Sequence, residues 1–445
     1  MTDSKITMRR LSSSDADFSN NLHTLLDRDM LIADDVMHTV STILRDVRKR
    51  GDQAVVDYTN KFDGRNAGSM ADLIVTRDQM ETALQKLPGS QRAALTHAAE
   101  RIRSYHEKQK QVSWQYTEAD GSVYGQKVSP LQRVGIYVPG GKANYPSSAL
   151  MLAIPAQVAG VTEIVATVPT AHTGNSGLVF AAAALAGVTR LYTIGGAQAV
   201  AAMAYGTESI PRVDKITGPG NIYVTVAKKL VFGEVGIDMI AGPSELTIIC
   251  DGDTNPDWIA MDLFSQAEHD EQAQSILISA DAAFLNKVEE SIRKLLPTME
   301  RKAIISASLR NRGIFILVKN LQEAAEVSNQ IAPEHLELSV ADPTAIVNQI
   351  HHAGAIFLGR YSAEALGDYC AGPSHVLPTS GTARFFSALG VYDFQKRSSI
   401  IYSSAAGAAV LAKTAAELAR NEGLQAHALS AEYRLGEIAA ALKDQ

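Results

Sequence analysis

The sequence predicts an α/β protein made of two units, each a parallel sheet covered by helices, with small helical segments at the chain ends. Three observations carry this expectation. From Val134 onward, short runs rich in Val and Ile end in glycine turns and lead into alanine-rich segments, the texture of strands buried on both faces and alternating with helices. At 445 residues the chain exceeds the usual size of one domain, so at least two packed units are expected. The opening hundred residues instead carry apolar positions at helical spacing, which places helices before the strands.

Val36, Val40, Ile43, Leu44 and Val47 form the first helical stripe, and Gly51 stops it. Arg45, Arg48, Lys49 and Arg50 fall at the end of that stripe, where cations suit the helix dipole, so they read as a solvated helix end. A second, polar helix is expected over 91–109. Strands follow at 134–138 before Pro139-Gly140-Gly141, at 164–168, at 191–194 before Gly195-Gly196, and at 215–217 before Gly218-Pro219-Gly220. The chain leaves this unit through Ala241-Gly242-Pro243-Ser244-Glu245 into a strand at 246–250. Asp253, Thr254 or Asn255 then caps a helix with Pro256 in its first turn. Another strand is expected at 355–358. From Ala405 the tail is alanine-rich and helical, with Gly423 placed to act as a left-handed C′ residue.

Composition excludes several function classes. A net charge of −7 lacks the Lys and Arg excess that attracts nucleic acid or an anionic membrane. The two cysteines, Cys250 and Cys370, cannot build a disulfide framework, and no Cys-x-x-Cys pair offers thiolates to zinc. A reducing cytoplasm is the expected compartment. The start Met1-Thr2-Asp3-Ser4-Lys5 has no apolar leader, and no stretch reaches the ~20 apolar residues that span a bilayer. Neither export nor membrane insertion is expected.

Candidate chemistry is scattered. The middle unit lacks Gly-x-Gly-x-x-Gly, yet its glycine turns, above all Gly218-Pro219-Gly220-Asn221, set main-chain N–H groups at helix starts where anions bind. Gln266 and His269 lie three apart on an expected helix and so share a face. Glu334 and His335 follow Pro333, and an imidazole titrating near ~6.5 can move protons at neutral pH. Asp368 and His375 stand in a glycine-rich stretch after the strand at 355–358, where open α/β sheets bind ligands. Glu422 and His427 flank the helix break at Gly423. Taken singly, each reads first as an ordinary turn or surface polar residue.

Taken together, and in order, Val-Gly-Ile-Tyr-Val-Pro-Gly-Gly, Gly-Gly-Ala-Gln-Ala, Gly-Pro-Gly-Asn, Ala-Gly-Pro-Ser-Glu, Ser-Gln-Ala-Glu-His, Pro-Glu-His-Leu, Gly-Asp-Tyr and Glu-Gly-Leu-x-Ala-His resemble the histidinol dehydrogenase family from the first helices to the last. The resemblance implies two Rossmann-like α/β units with parallel sheets, small helical terminal segments and an exchanged homodimer. The implied boundaries are a helical arm over 1–30, a discontinuous first α/β domain over 31–133 and 245–385, an inserted NAD-binding domain over 134–244, and a helical segment over 386–445 that completes the partner's site. It further implies one zinc ion per subunit on Gln266, His269, Asp368 and His427, with Glu422 and His427 supplied by the other subunit. Tyr137, Gln198 and Asn221 become the NAD contacts. Ser244, Glu422, His335 and His375 become contacts to L-histidinol, beside the metal ligands Gln266, His269, Asp368 and His427. Glu334 and His335 become the catalytic pair, in an oxidation through bound L-histidinal to L-histidine, the last steps of histidine biosynthesis.

Two other readings compete. A covalent aldehyde dehydrogenase would use a thiol, and Cys370 sits two residues from Asp368. A zinc-dependent protein that binds histidine-like ligands without catalysis would keep the metal residues and dispense with Glu334 and His335.

Overall fold

Residues 6–26, 34–140, 145–170 and 177–441 are described by the computed structural model. Residues 1–5 and 27–30 of the expected arm, and Gly141 of the first glycine turn, lie outside the described residues. The chain divides into a unit of Met1–Gln109 with Leu131–Phe394 and a unit of Lys110–Pro130 with Gln395–Gln445.

The first unit holds two six-stranded sheets. In one, the strands run in the order Arg9–Ser12, Ile314–Leu317, Gln274–Ser279, Glu245–Cys250, His335–Ser339 and Ala355–Leu358, all parallel. Every residue of Glu245–Cys250 and His335–Ser339 is buried, as the unbroken apolar texture requires of central parallel strands. The register sets Leu246 beside His335, and His335 beside Ala355. The second sheet runs Ile74–Val75, Arg190–Tyr192, Glu163–Thr167, Arg133–Tyr137, Lys215–Thr217, Gly236–Ile237. It is parallel except for Ile74–Val75, which joins Arg190–Tyr192 antiparallel.

Helix Asp34–Arg50 buries Val40, Ile43, Leu44 and Val47, the stripe read from the sequence, and Arg50 of its basic end is spent on Asp46 and Asp57 at 2.6 Å each. The expected polar helix spans Gly89–Glu107. These helices do not cover the sheet that carries 245–358, as the boundary joining 31–133 to 245–385 requires. Val40, Val47 and Leu73 share a core with Tyr137, Val200 and Ile216 of the second sheet and its helices, while Met80 and Ile102 share one with Val134 and Leu152. Their apolar stripes fit either sheet equally well, so only tertiary packing decides. The N-terminal arm also departs from the expected all-helical form. Its Arg9–Ser12 pairs with Ile314–Leu317 before the helix Phe18–Leu26 begins.

In the second unit, Gln395–Tyr402, Val123–Pro130 and Trp114–Thr117 form an antiparallel sheet, and helices Ala405–Asn421 and Gln425–Ala441 follow. The expectation for 386–445 was helical throughout. The strand was missed because Gln395-Lys396-Arg397-Ser398-Ser399 is a polar, largely exposed run with no apolar alternation to announce it. Gly423 adopts φ 76° with Glu422 as the C-cap of Ala405–Asn421, as expected for a left-handed C′ residue.

Candidate active site

In the first sheet, the polar residues gather where strands begin. His335 opens its strand and is 3% exposed. Its Nδ1 lies 3.0 Å from the main-chain oxygen of Glu245. A carbonyl only accepts, so Nδ1 carries a proton. Nε2 lies 3.5 Å from Asp368 Oδ1, beside a cavity of about 530 Å³ lined by Tyr105, Phe357, Leu366 and His375 among others.

Glu334 is also buried, and its Oε2 accepts the Glu245 N–H at 2.8 Å. Burial pushes the Glu334 carboxyl up to about 8, with His335 opposing the rise. For His335, burial alone would lower the imidazole, but Glu364, Glu334 and Asp368 hold it well above its ordinary value. Asp368 moves the other way. Burial would raise it, yet the His335 contact and the nearby His375 and His269 bring it below the usual carboxylate range.

Helix Pro256–Ala267, capped by Asn255 through a 2.9 Å bond from the Asp257 N–H, ends at this same edge. Gln266 in its last turn is fully buried, and neither of its amide atoms has a hydrogen-bond partner among the described residues. A buried amide with nothing to bond is costly, so this one asks for a ligand. His269 lies just past the helix, its N–H bonded to the Gln266 carbonyl at 3.3 Å. It keeps solvent access, yet enough protein surrounds it that desolvation lowers its imidazole, with Asp368 opposing. His375 bonds through Nδ1 to the Asp368 carbonyl at 3.0 Å and through Nε2 to Ser148 Oγ at 3.2 Å. Ser244 adjoins the same edge, its carbonyl accepting the Gln274 N–H at 3.0 Å. Among the described residues, His335, Glu364 and Asp368 offer ligand atoms within 4.8 Å of one another.

One expectation about placement is corrected. Asp368 and His375 follow the strand Ala355–Leu358, but they do not stand at its carboxyl end. The helix Glu364–Tyr369 carries the chain back along the sheet, so the cluster forms at the amino ends of the strands, where His335 begins.

The second sheet offers its carboxyl edge. Tyr137 ends its strand, is 3% exposed, and its hydroxyl accepts the Gly196 N–H at 3.1 Å. Burial pushes this phenol up to about 12. Gln198, in the first turn of Gly196–Tyr205, is 1% exposed, and neither of its amide atoms has a hydrogen-bond partner among the described residues. Asn221 caps Ile222–Val231, accepting from the N–H groups of Tyr223 and Val224 at 3.0 and 3.2 Å. Gly218 sits at φ 119°, where a side chain would run into the Tyr137 carbonyl, so the close turn needs glycine. The buried Lys228–Asp238 ion pair clamps that turn: Lys228 Nζ donates to the Gly218 carbonyl at 2.8 Å, and Asp238 Oδ2 accepts its N–H at 2.7 Å. Ser148 and Met151, in the helix that follows the Tyr137 strand, both touch His375, so the two edges meet.

Glu422 and His427 belong to the second unit and are exposed there. The sequence reading missed Glu364 and Glu337. Glu337 lies two residues along the strand from His335, and Glu364 four before Asp368 on a helix; both spacings repeat a face already singled out.

Comparison with known proteins bears on all of this. A family model described as Histidinol dehydrogenase matches residues 26–435. Curated proteins of that name are 65% identical over 428 residues in Pseudomonas savastanoi pv. phaseolicola, covering 96% of each chain, and 61% identical over 430 residues in Dechloromonas aromatica, covering 97% of this chain and 99% of that one. The crystal structure of histidinol dehydrogenase from Elizabethkingia anophelis matches with a TM-score of 0.91 at 34% identity, over 97% of this chain and 98% of that one.

Proposed function

Because this chain belongs to the histidinol dehydrogenase family, oxidoreductases of histidine biosynthesis, we propose that it carries out the zinc-dependent, NAD-linked oxidation of L-histidinol through bound L-histidinal to L-histidine. The observation that carries the reading is the junction of the two sheet edges: one holds a buried imidazole whose Nε2 faces Asp368 beside the cavity, the other a glycine turn and a buried amide suited to a dinucleotide.

The donor set fits a borderline cation. Gln266, His269 and Asp368 would hold zinc from this subunit and His427 from the other, and the fully buried, unbonded Gln266 amide supports that assignment. Bound zinc would fix the amino alcohol in place, and NAD would accept hydride in each half-reaction. Tyr137, Gln198 and Asn221 would contact NAD. Ser244, His375 and Glu422 would contact the substrate. In the domain reading, 245–385 carries the metal and the acid–base pair, 134–244 the dinucleotide, and 386–445 completes the neighbour's site.

His335 Nε2 takes the alcohol proton in the first half-reaction. Glu334 then draws a proton from the water that adds to the aldehyde, and His335 acts again as the hydrate is oxidised. Since Glu334 must be ionised to act and its carboxyl is held up to about 8, aldehyde oxidation should quicken as pH rises through that value.

Purified protein mixed with L-histidinol and NAD should yield two NADH per histidine, and a chelator should abolish turnover. Glu334→Gln should slow the aldehyde step by about 10²-fold or more while sparing the alcohol step, and His335→Asn should slow both. No NADH from metal-loaded protein, or loss of only the alcohol step in Glu334→Gln, would defeat the reading.

A further inference from the structure

Three carboxylates surround the His335 ring, and two of them already have work. Glu334 Oε2 lies 3.7 Å from Nδ1 and is held by the Glu245 N–H. Asp368 lies on the cavity side, facing Nε2. Glu364 is the third. It is 2% exposed, its Oε1 stands 3.3 Å from Nδ1, and that oxygen has no hydrogen-bond partner among the described residues. The residue is fixed from two other directions. Its main-chain N–H donates to Glu337 Oε1 at 2.7 Å, and its Oε2 lies 3.5 Å from Ser265 Oγ.

A buried carboxylate oxygen without a donor is expensive unless positive charge stands beside it. The charge that suits it is the imidazolium of His335, which the three carboxylates already favour and which re-forms each time the ring takes the substrate's proton. When the substrate O–H bond breaks and an Nε2–H bond forms, the electron pair stays on the substrate oxygen and the ring becomes an imidazolium. Nδ1 already carries its proton, held by the Glu245 carbonyl, so Glu364, whose carboxyl burial pushes up to about 8 with His335 opposing, acts on that side of the ring by proximity, without the hydrogen bond that the acid of a nucleophile–histidine–acid triad makes.

We propose that Glu364 is a positioning residue for His335: it holds the ring with Nε2 toward the cavity and stabilises the imidazolium, without touching substrate or metal. This rests on the reading of His335 as the proton acceptor in histidinol oxidation.

The test compares native, Glu364→Gln and Glu364→Asp enzymes loaded with zinc, measuring kcat and KM for histidinol at saturating NAD, bound zinc by elemental analysis, and the thermal midpoint. Glu364→Gln should lose about 10- to 100-fold in kcat, with KM and zinc content within about twofold of native. Glu364→Asp, which keeps the charge, should recover several-fold of that loss. If Glu364→Gln does not fold, the shortened Glu364→Asp should still show a fall in kcat alone. A kcat within twofold of native in Glu364→Gln, a rise confined to KM, or parallel loss of zinc and activity would overturn the proposal. Native enzyme that does not oxidise histidinol would instead overturn the functional reading beneath it.

Discussion

Cys370 is half-buried, two residues from Asp368, and its carbonyl accepts from Arg101 Nε at 2.8 Å. Cys250 is buried in the central strand, where desolvation pushes its thiol up, the opposite of what a thiolate nucleophile needs. In the proposed mechanism the acid–base pair carries the aldehyde step without either thiol. Replacing both with Ser should therefore leave aldehyde oxidation largely intact, at a stability cost of about 1–3 kcal/mol from the hydroxyl buried at 250; a folded double variant without that activity would restore the covalent mechanism. His106 makes a separate claim on stability. It is fully buried, its Nδ1 lies 2.8 Å from the Ile102 carbonyl, and burial lowers its imidazole. An unfolded chain takes up that proton near ~6.5 and the folded one resists, so this contribution is present above that pH and is lost as pH falls below it. Urea midpoints at pH 7.5 and 5.5 should differ more in the native chain than in His106→Leu. At this scale the sequence spoke through its motifs. Gln266, Glu334, His335, Asp368 and His375 stand at one sheet edge, yet composition and spacing alone left each an ordinary polar residue. Glu364 and Glu337 went unseen because their meaning comes from burial, which no local pattern states.

Among the secondary-structure elements, the strands near 134–138, 164–168, 191–194, 215–217, 246–250 and 355–358 and the stripe of Asp34–Arg50 were plain in the sequence, since buried parallel strands show as short unbroken apolar runs and an amphipathic helix as a repeating stripe, while Gln274–Ser279 and Ile314–Leu317 were not singled out. Which sheet that helix covers was not, because an apolar stripe records that it is buried and not against what. The clamp on the Gly218 turn belongs here too. Lys228 is 3% exposed and Asp238 even less so, and together they bind both main-chain polar groups of Gly218. Removing one member leaves a lone buried charge, which costs about 3–5 kcal/mol. Lys228→Met should accordingly lower the thermal midpoint and raise KM for NAD with a smaller effect on KM for histidinol. Equal effects on both constants would mean that the turn serves the fold without favouring the dinucleotide.

For the whole molecule, the proposal that sites are shared between subunits makes a sharp forecast. His427 is exposed in its own chain, and His269 lies with Gln266 at the first sheet. Inactive His427→Ala and His269→Ala chains, after subunit exchange, should form heterodimers in which one site carries neither lesion and activity returns to about half of native. Verified heterodimers no more active than their parents would place His427 in its own subunit's site. The helix-covered parallel sheets were readable from alternating texture, whereas the gathering of both into one unit, and the antiparallel sheet of the second, were not, since the latter's strands come from distant stretches and one of them is polar. The first sheet also turns its amino edge, not the usual carboxyl edge, toward the proposed site. Its opposite rim, with the loops at 251–255, 280–281 and 341–343, is thereby released from catalytic duty. That rim is the natural graft site of this scaffold: a short glycine–serine insert between Gly252 and Asp253, or a reporter peptide carried there, should travel with the enzyme and leave its turnover near native.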